Sequence, residues 1–181
     1  QSSDAEFESQ LAEHLNVEGF AMYLAVNNML VNVDSLADMG NNFYLYYNPE
    51  TKIMDLLYWD GNERLGKLGN RSGGTAAQYN LYYETLSAIG ALNKFNLLKQ
   101  RFLANPSFRK LYEDKLREVY QKAFASGWIS NRIKTYAALV TSANLQRNLV
   151  TQTAYDQAVQ QTLAFIQQRG EYAASSGLLK K

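Results

Sequence analysis

Three short stretches hold the acids and amides whose spacing can do chemistry. Asp34 follows the apolar run Phe20–Val33, Asn41 and Asn42 stand seven and eight residues further on, and Asp60 follows Trp59. The stretches Asn42–Asn48 and Lys52–Asp60 are aromatic and β-branched, and Pro49-Glu50-Thr51 joins them, which is the signature of a β-hairpin. A hairpin returns its second strand beside its first, so Asn42 and Asp60 are expected near one another at its open end, with Asp34 bordering the same edge. One carboxylate and one amide oxygen on adjacent segments can hold a hard cation such as Mg²⁺. A second carboxylate nearby can accept a proton from a hydroxyl. The residues alone leave a plainer reading standing: Asp34 caps the turn at Ser35, Asn42 opens a strand, and Asp60 belongs to a turn.

Other chemistries are excluded by what the chain lacks. Its one histidine, His14, lies on a polar stretch and cysteine is absent, so no Ser-His-Asp triad, thiolate nucleophile or His/Cys zinc site can be built from it. Gly66-Lys67-Leu68-Gly69 lacks the spacing and the Ser/Thr of a P-loop. The run Phe20–Val33 has 14 residues and three asparagines, too short and too polar to cross a bilayer. No membrane insertion is expected.

The charge is uneven. Residues 1–63 carry eleven acidic side chains against Lys52, and residues 94–134 carry ten basic side chains against Glu113, Asp114 and Glu118. An acidic half can collect divalent cations or basic peptides, and a basic half can hold acidic partners. Nucleic acid is not expected as a partner, because the basic residues share their helices with core aromatics.

These residues need elements to position them. Ser2–His14 reads as a short acidic helix capped by Ser3 or Asp4, with a break at Asn16. Phe20–Val33 is apolar around its whole circumference, so it is expected as a buried helix, in which Asn27, Asn28 and Asn32 must find hydrogen-bond partners. Five glycines between Gly61 and Thr75 predict an exposed, mobile loop. From Gln78 onward the pattern is helical, with apolar stripes at Phe108/Leu111/Tyr112/Leu116/Val119/Tyr120, at Ile129/Ile133/Tyr136/Val140 and at Tyr155/Val159/Leu163/Ile166. The composition fits one mainly α, α+β unit.

The order acid, amide, hairpin, acid is the toolkit of protein kinases, in which an Asp orients the acceptor hydroxyl and an Asn and a further Asp hold metal. Three blocks also resemble the CotH spore coat kinase family. The run Ala25-Val26-Asn27-Asn28-Met29-Leu30-Val31-Asn32-Val33-Asp34 is similar to its A-L-N-x-L-x-x-N-W-D pattern. The stretch Asn42-Phe43-Tyr44-Leu45-Tyr46 is similar to its N-[YF]-Y-L-Y, and Tyr58-Trp59-Asp60 to its P-W-D. Leu98–Tyr120 and Phe165–Arg169 resemble its closing helices. The resemblance implies an atypical protein-kinase-like fold that transfers phosphate from ATP to protein serines with Mg²⁺. It implies Asp34 as catalytic base with Asn32 two residues before it, Asn42 and Asp60 as metal ligands, and Trp59, Asn41 and Asn62 in support. Val33 stands in place of tryptophan, Tyr58 in place of proline, and Asn62 in place of an acid, which weakens a second metal site.

Nothing in the sequence resembles the phosphate-covering loop or ion-paired lysine of a kinase N-lobe. The chain opens on Gln1, so residues 1–181 are read as the C-terminal, catalytic and metal-binding part of a longer protein whose N-lobe precedes them. The expected partner is a serine-rich protein substrate, and the expected location is the spore coat, the cell surface or the secreted fraction. A non-catalytic scaffold of the same fold is the alternative, and a helical adhesion module a more distant one.

Overall fold

The computed structural model describes residues 2–67, 76–82, 96–147 and 149–179. Within them the chain is mainly helical with one small antiparallel sheet, in agreement with the α+β, mainly α expectation. The first helix, α1 (Asp4–Gln10), starts at Ser3, whose hydroxyl accepts from the Glu6 N–H while the Glu6 carboxylate accepts from the Ser3 N–H. This reciprocal pair satisfies donors that a helix start leaves open. A 3₁₀ turn (Leu11–Glu13) leads to Asn16, which caps α2 (Val17–Met29) by accepting from the Gly19 N–H.

The strands β1 (Phe43–Asn48) and β2 (Ile53–Tyr58) pair from Phe43↔Tyr58 to Asn48↔Ile53. The other edge of β2 is fastened to the start of α2. Met54 N–H donates to the His14 carbonyl, Asn16 N–H donates to the Met54 carbonyl, and the Asn16 amide donates to Asp55 at 2.8 Å. The remaining helices are α3 (Leu97–Ala104), α4 (Pro106–Val119), α5 (Trp128–Arg147) and α6 (Gln152–Ser175), with a π-helical segment, Tyr120–Ala125, between α4 and α5.

The core forms where α2 meets α3 and α4. Phe20 packs edge-on against Phe102, whose ring stacks on Phe108 with centroids 4.7 Å apart. Phe108, Tyr112 and Leu116 of the first predicted stripe are buried. So is Ile166 of the third, beside half-buried Tyr155, Val159 and Leu163. The second stripe differs: Ile129 and Ile133 are half-buried, but Tyr136 and Val140 are exposed. Helix α5 packs against α6 and the π-helical segment, so its far side meets solvent.

The acidic and basic halves of the chain partly neutralise one another. Arg101 bonds Asp4, Lys115 pairs with Glu18, and Glu8 accepts from Asn105 and Ser107. The glycine-rich loop is also less open than its composition implies. Residues 68–75 and 83–95 lie outside the described residues, but Gly61, Glu63, Arg64 and Leu65 are half-buried and Gly66 is buried. Gly66 has φ +73°, and a Cβ there would meet the Ala76 side chain at 2.4 Å and the Phe165 ring at 2.8 Å, so only glycine fits.

Candidate functional site

The buried helix ends four residues earlier than its apolar run. After Met29 the backbone turns out of α2, and Val31 takes φ +49°, a conformation that β-branched residues rarely adopt. Strain of this kind amounts to about 1–3 kcal/mol and persists only where the surroundings impose it. Here they do. Val31 N–H donates to the Asn28 carbonyl, Asn32 N–H donates to the Asn27 carbonyl, and the Val31 side chain is fully buried. Leu65 N–H donates to the Leu30 carbonyl at 2.7 Å, tying the loop after the hairpin to the end of α2. Four of the five non-glycine residues with positive φ among the described residues (Val31, Asn42, Asp60, Leu65) lie in these two loops.

The three asparagines of α2 and its exit all find partners. Asn27 donates to the Tyr23 carbonyl and accepts from the Asn32 amide at 2.8 Å. Asn28 donates to the Asn80 carbonyl, and its oxygens accept from Arg169, which is wholly buried in α6. Arg169 also donates to the carbonyls of Ala77 and Tyr79. Asn32 reaches the Tyr58 hydroxyl at 3.4 Å, while its own Oδ1 is buried with no hydrogen-bond partner among the described residues.

Asp34 emerges from this buried base half-exposed. Its carboxylate accepts two amide hydrogen bonds, from Asn41 at 2.9 Å on Oδ1 and from Asn42 at 2.7 Å on Oδ2. The first acid and the two amides singled out in the sequence therefore form one cluster. Because the Asn42 nitrogen is committed to Asp34, its carbonyl oxygen is the atom left for another ligand. The hairpin register pairs Phe43 with Tyr58, so Asn42 and Asp60 leave the sheet at the same open end. The Asp60 side chain is exposed and accepts no hydrogen bond among the described residues. Trp59 is 54% exposed and packs edge-on against Tyr44 of the neighbouring strand, and Asn62 is exposed.

Asn42 offers an amide oxygen and Asp60 a carboxylate, the donor types that a hard divalent cation takes. Among the described residues no group of three or more His, Cys, Asp or Glu side chains gathers as a preformed metal cage.

Sequence reasoning missed several residues at this end of the molecule. Tyr58 registered only as a departure from proline, yet its hydroxyl joins the Asn32 network. Burial pushes its pKa up, the Asp60 charge adds to that, and Arg64 opposes it. The Arg64 guanidinium lies 5.0 Å over the Tyr58 ring and donates to the Gly61 carbonyl. A tyrosine facing an asparagine 26 residues away has no local signature in a single sequence. Asp38, with Tyr79 and Lys99 around it, was likewise unremarked.

The CotH kinase protein family matches residues 1–173, and the chain belongs to that family. A comparison with curated proteins finds no match. Membership carries a kinase-like function in general terms.

Proposed function

We propose that the chain is the catalytic and metal-binding part of an ATP- and Mg²⁺-dependent protein serine/threonine kinase of the CotH type. The observation that carries this reading is the Asp34 carboxylate, half-exposed and gripped by the amides of Asn41 and Asn42. Two amide donors hold a carboxylate fixed in direction, which is what a group needs to orient an acceptor hydroxyl and take its proton. Asn32, two residues before, fastens the loop to α2 through Asn27. The Asn42 oxygen and the Asp60 carboxylate hold Mg²⁺, which neutralises phosphate charge when bound. Asn41 shares the grip on Asp34, Trp59 shields the end of β2, and Asn62 lies beside Asp60 without adding charge.

On this reading residues 1–181 carry the catalytic and metal-binding side of the site and bind ATP weakly by themselves. The substrate is a serine-rich protein, and the place of action is the spore coat, the cell surface or the secreted fraction, in keeping with the family's association with spore coats. A non-catalytic scaffold of the same fold is favoured by one observation, the neutral Asn62 where the family carries an acid.

Phosphate transfer to dephosphorylated casein by the full protein, measured beside a titration of ATP with and without Mg²⁺, separates these readings. Asp34→Asn keeps the shape and removes the proton acceptor, so transfer should fall about 10²–10⁴-fold with Mg²⁺-ATP binding little changed. Asp60→Asn should instead weaken the Mg²⁺-dependent part of nucleotide binding. Unchanged transfer by a folded Asp34→Asn protein removes Asp34 from the mechanism. No transfer by the wild-type protein moves the reading to the scaffold.

A further inference from the structure

Between Asp34 and the two amides that grip it lies a turn, residues 35–40, fastened by four side chains from three separate places in the fold. Its backbone closes on itself: Asp38 N–H and Gly40 N–H both donate to the Ser35 carbonyl, and Met39 N–H donates to the Val33 carbonyl. From α2, the Tyr23 hydroxyl accepts from the Leu36 N–H at 3.2 Å. The Asn96 amide, at the start of α3, donates to the Leu36 carbonyl. The Tyr79 hydroxyl donates to Asp38 Oδ1 at 2.8 Å, and Lys99 Nζ of α3 stands 3.8 Å from the same oxygen. Asp38, Tyr79 and Lys99 are all buried.

This pair does not read as a device for stability. Removing two charges from water outweighs their attraction unless the geometry is excellent, and apolar replacements of such pairs are often neutral or stabilising. Burial is the dominant influence on both partners. It pushes the Asp38 carboxyl up to about 6, with Lys99 and then Tyr79 opposing, and it pushes Lys99 down. What the arrangement does supply is direction. A carboxylate held by a hydroxyl and an ammonium fixes the turn at its midpoint, four residues from Asp34 on one side and four from Asn42 on the other.

We propose that Asp38 is a positioning residue: through Tyr79 and Lys99 it fixes the 35–40 turn so that the Asp34 carboxylate meets the amides of Asn41 and Asn42. This rests on Asp34 being the catalytic base, and it adds a pH dependence. Among the described residues, the titratable groups facing Asp38 are Lys99 from α3, Tyr79, Tyr23 from α2 and Tyr112 from α4. Burial pushes all three tyrosines up, so they stay neutral across the working range. Asp38 is then the member of the cluster that changes charge near pH 6. Below that pH it becomes neutral, its ion pair with Lys99 is lost, and the turn loosens.

The test uses the full protein with Asp38→Asn and Tyr79→Phe, read by phosphate transfer to casein from pH 5 to 8.5 and by hydrogen exchange at the Met39 and Gly40 amides. Asp38→Asn should lower kcat about 10- to 100-fold at pH 7.5, the size of effect that a small misplacement of a reacting group produces, with KM for Mg²⁺-ATP unchanged. It should also abolish the acid limb near pH 6. Tyr79→Phe removes a hydrogen bond that favours the charged carboxylate, so it should move that limb to higher pH. In both variants the two amides should exchange faster, as they should in the wild type below pH 6 once intrinsic rates are allowed for. A wild-type limb and wild-type protection in both variants overturn the proposal. If Asp38→Asn does not fold, Tyr79→Phe decides by the same readouts. If the wild type transfers no phosphate, the kinase reading fails by itself, and amide exchange in the variants still decides whether Asp38 fixes the turn.

Discussion

Asn27, Asn28 and Asn32 are no more than 1% exposed, while Asn41 is open to solvent and Asp34 and Asn42 are half-exposed. The two groups lie within sixteen residues of chain and use the same chemistry, amide hydrogen bonding, to different ends. In the buried group each amide is spent on the fold: Asn27 on Tyr23 and Asn32, Asn28 on Asn80 and Arg169. In the rim group the amides are spent on one carboxylate, and the oxygens of Asn42 and Asp60 are left for something else. A polar cluster in a core must be satisfied internally or it destabilises the fold. A polar cluster at a rim can leave acceptors for a ligand, because water serves in the meantime. The buried group is thus the base that gives the rim its geometry, and the strained Val31 is the joint between them.

The sharpest way to break this contrast is to remove the bolt beneath it. Arg169→Ala strips donors from the carbonyls of Ala77, Tyr79 and Asn28 and from Asn28 Oδ1, all deep in the protein. Each orphaned buried acceptor costs about 1–3 kcal/mol, partly recovered by relaxation, so a total loss of about 3–5 kcal/mol is expected. Denaturant unfolding followed by circular dichroism should show a much lower midpoint, or no folded protein at all. A change under 1 kcal/mol would mean that the α6 contact with the end of α2 is incidental.

A gentler test removes the joint's own amide. Asn32→Leu keeps the branched shape and leaves Asn27 Oδ1 without its donor, for an expected loss of about 1–3 kcal/mol in the same unfolding measurement. Asn32 Oδ1 has no partner among the described residues, so the replacement also relieves one unmet acceptor, and the lower part of that range is expected. A stabilised variant would show that Asn32 is retained for the site rather than for the fold.

How much of this was legible in the sequence depended on range. The hairpin was readable because its alternation and turn are local, and its register then placed Asn42 and Asp60 at one end. The capped start of α1 and the break at Asn16 were readable for the same reason, although α2 starts at Val17, ahead of the apolar run. The three asparagines announced themselves as polar residues in an apolar run, although their partners, Arg169 above all, could not be named from 141 residues away. The stripes of α4 and α5 mark the limit of periodicity: both form helices, but Phe108, Tyr112 and Leu116 meet α2 whereas Tyr136 and Val140 meet solvent. Period reports the helix and not what lies opposite it. The end of α2 was misjudged because Val31 and Asn32 have ordinary helical composition, and backbone hydrogen bonds to Asn27 and Asn28 and from Leu65 to Leu30 decide the exit. Asp38 went unnoticed because its partners, Tyr79 and Lys99, are 41 and 61 residues away.

The smallest expected effect separates the two amides that grip Asp34. Asn41 is exposed, and its hydrogen bond to Oδ1 competes with water, so Asn41→Ala should change stability by no more than about 0.5 kcal/mol. Asn42 is different on three counts: it is half-buried, its bond to Oδ2 is the shorter at 2.7 Å, and its φ of +50° suits asparagine better than alanine. With Asn42 still in place the Asp34 carboxylate keeps one fixed oxygen and loses only the second restraint on its rotation. Phosphate transfer in Asn41→Ala should therefore drop only a few-fold, well short of the about 10²-fold minimum expected on removing the proposed base, Asp34. Mg²⁺-dependent ATP binding should stay as it was, because the proposed metal ligands, the Asn42 oxygen and Asp60, are untouched. Equal losses of transfer in Asn41→Ala and Asp34→Asn, with both proteins folded, would show that the exposed amide acts in the chemistry and that the grip on Asp34 is not a shared one.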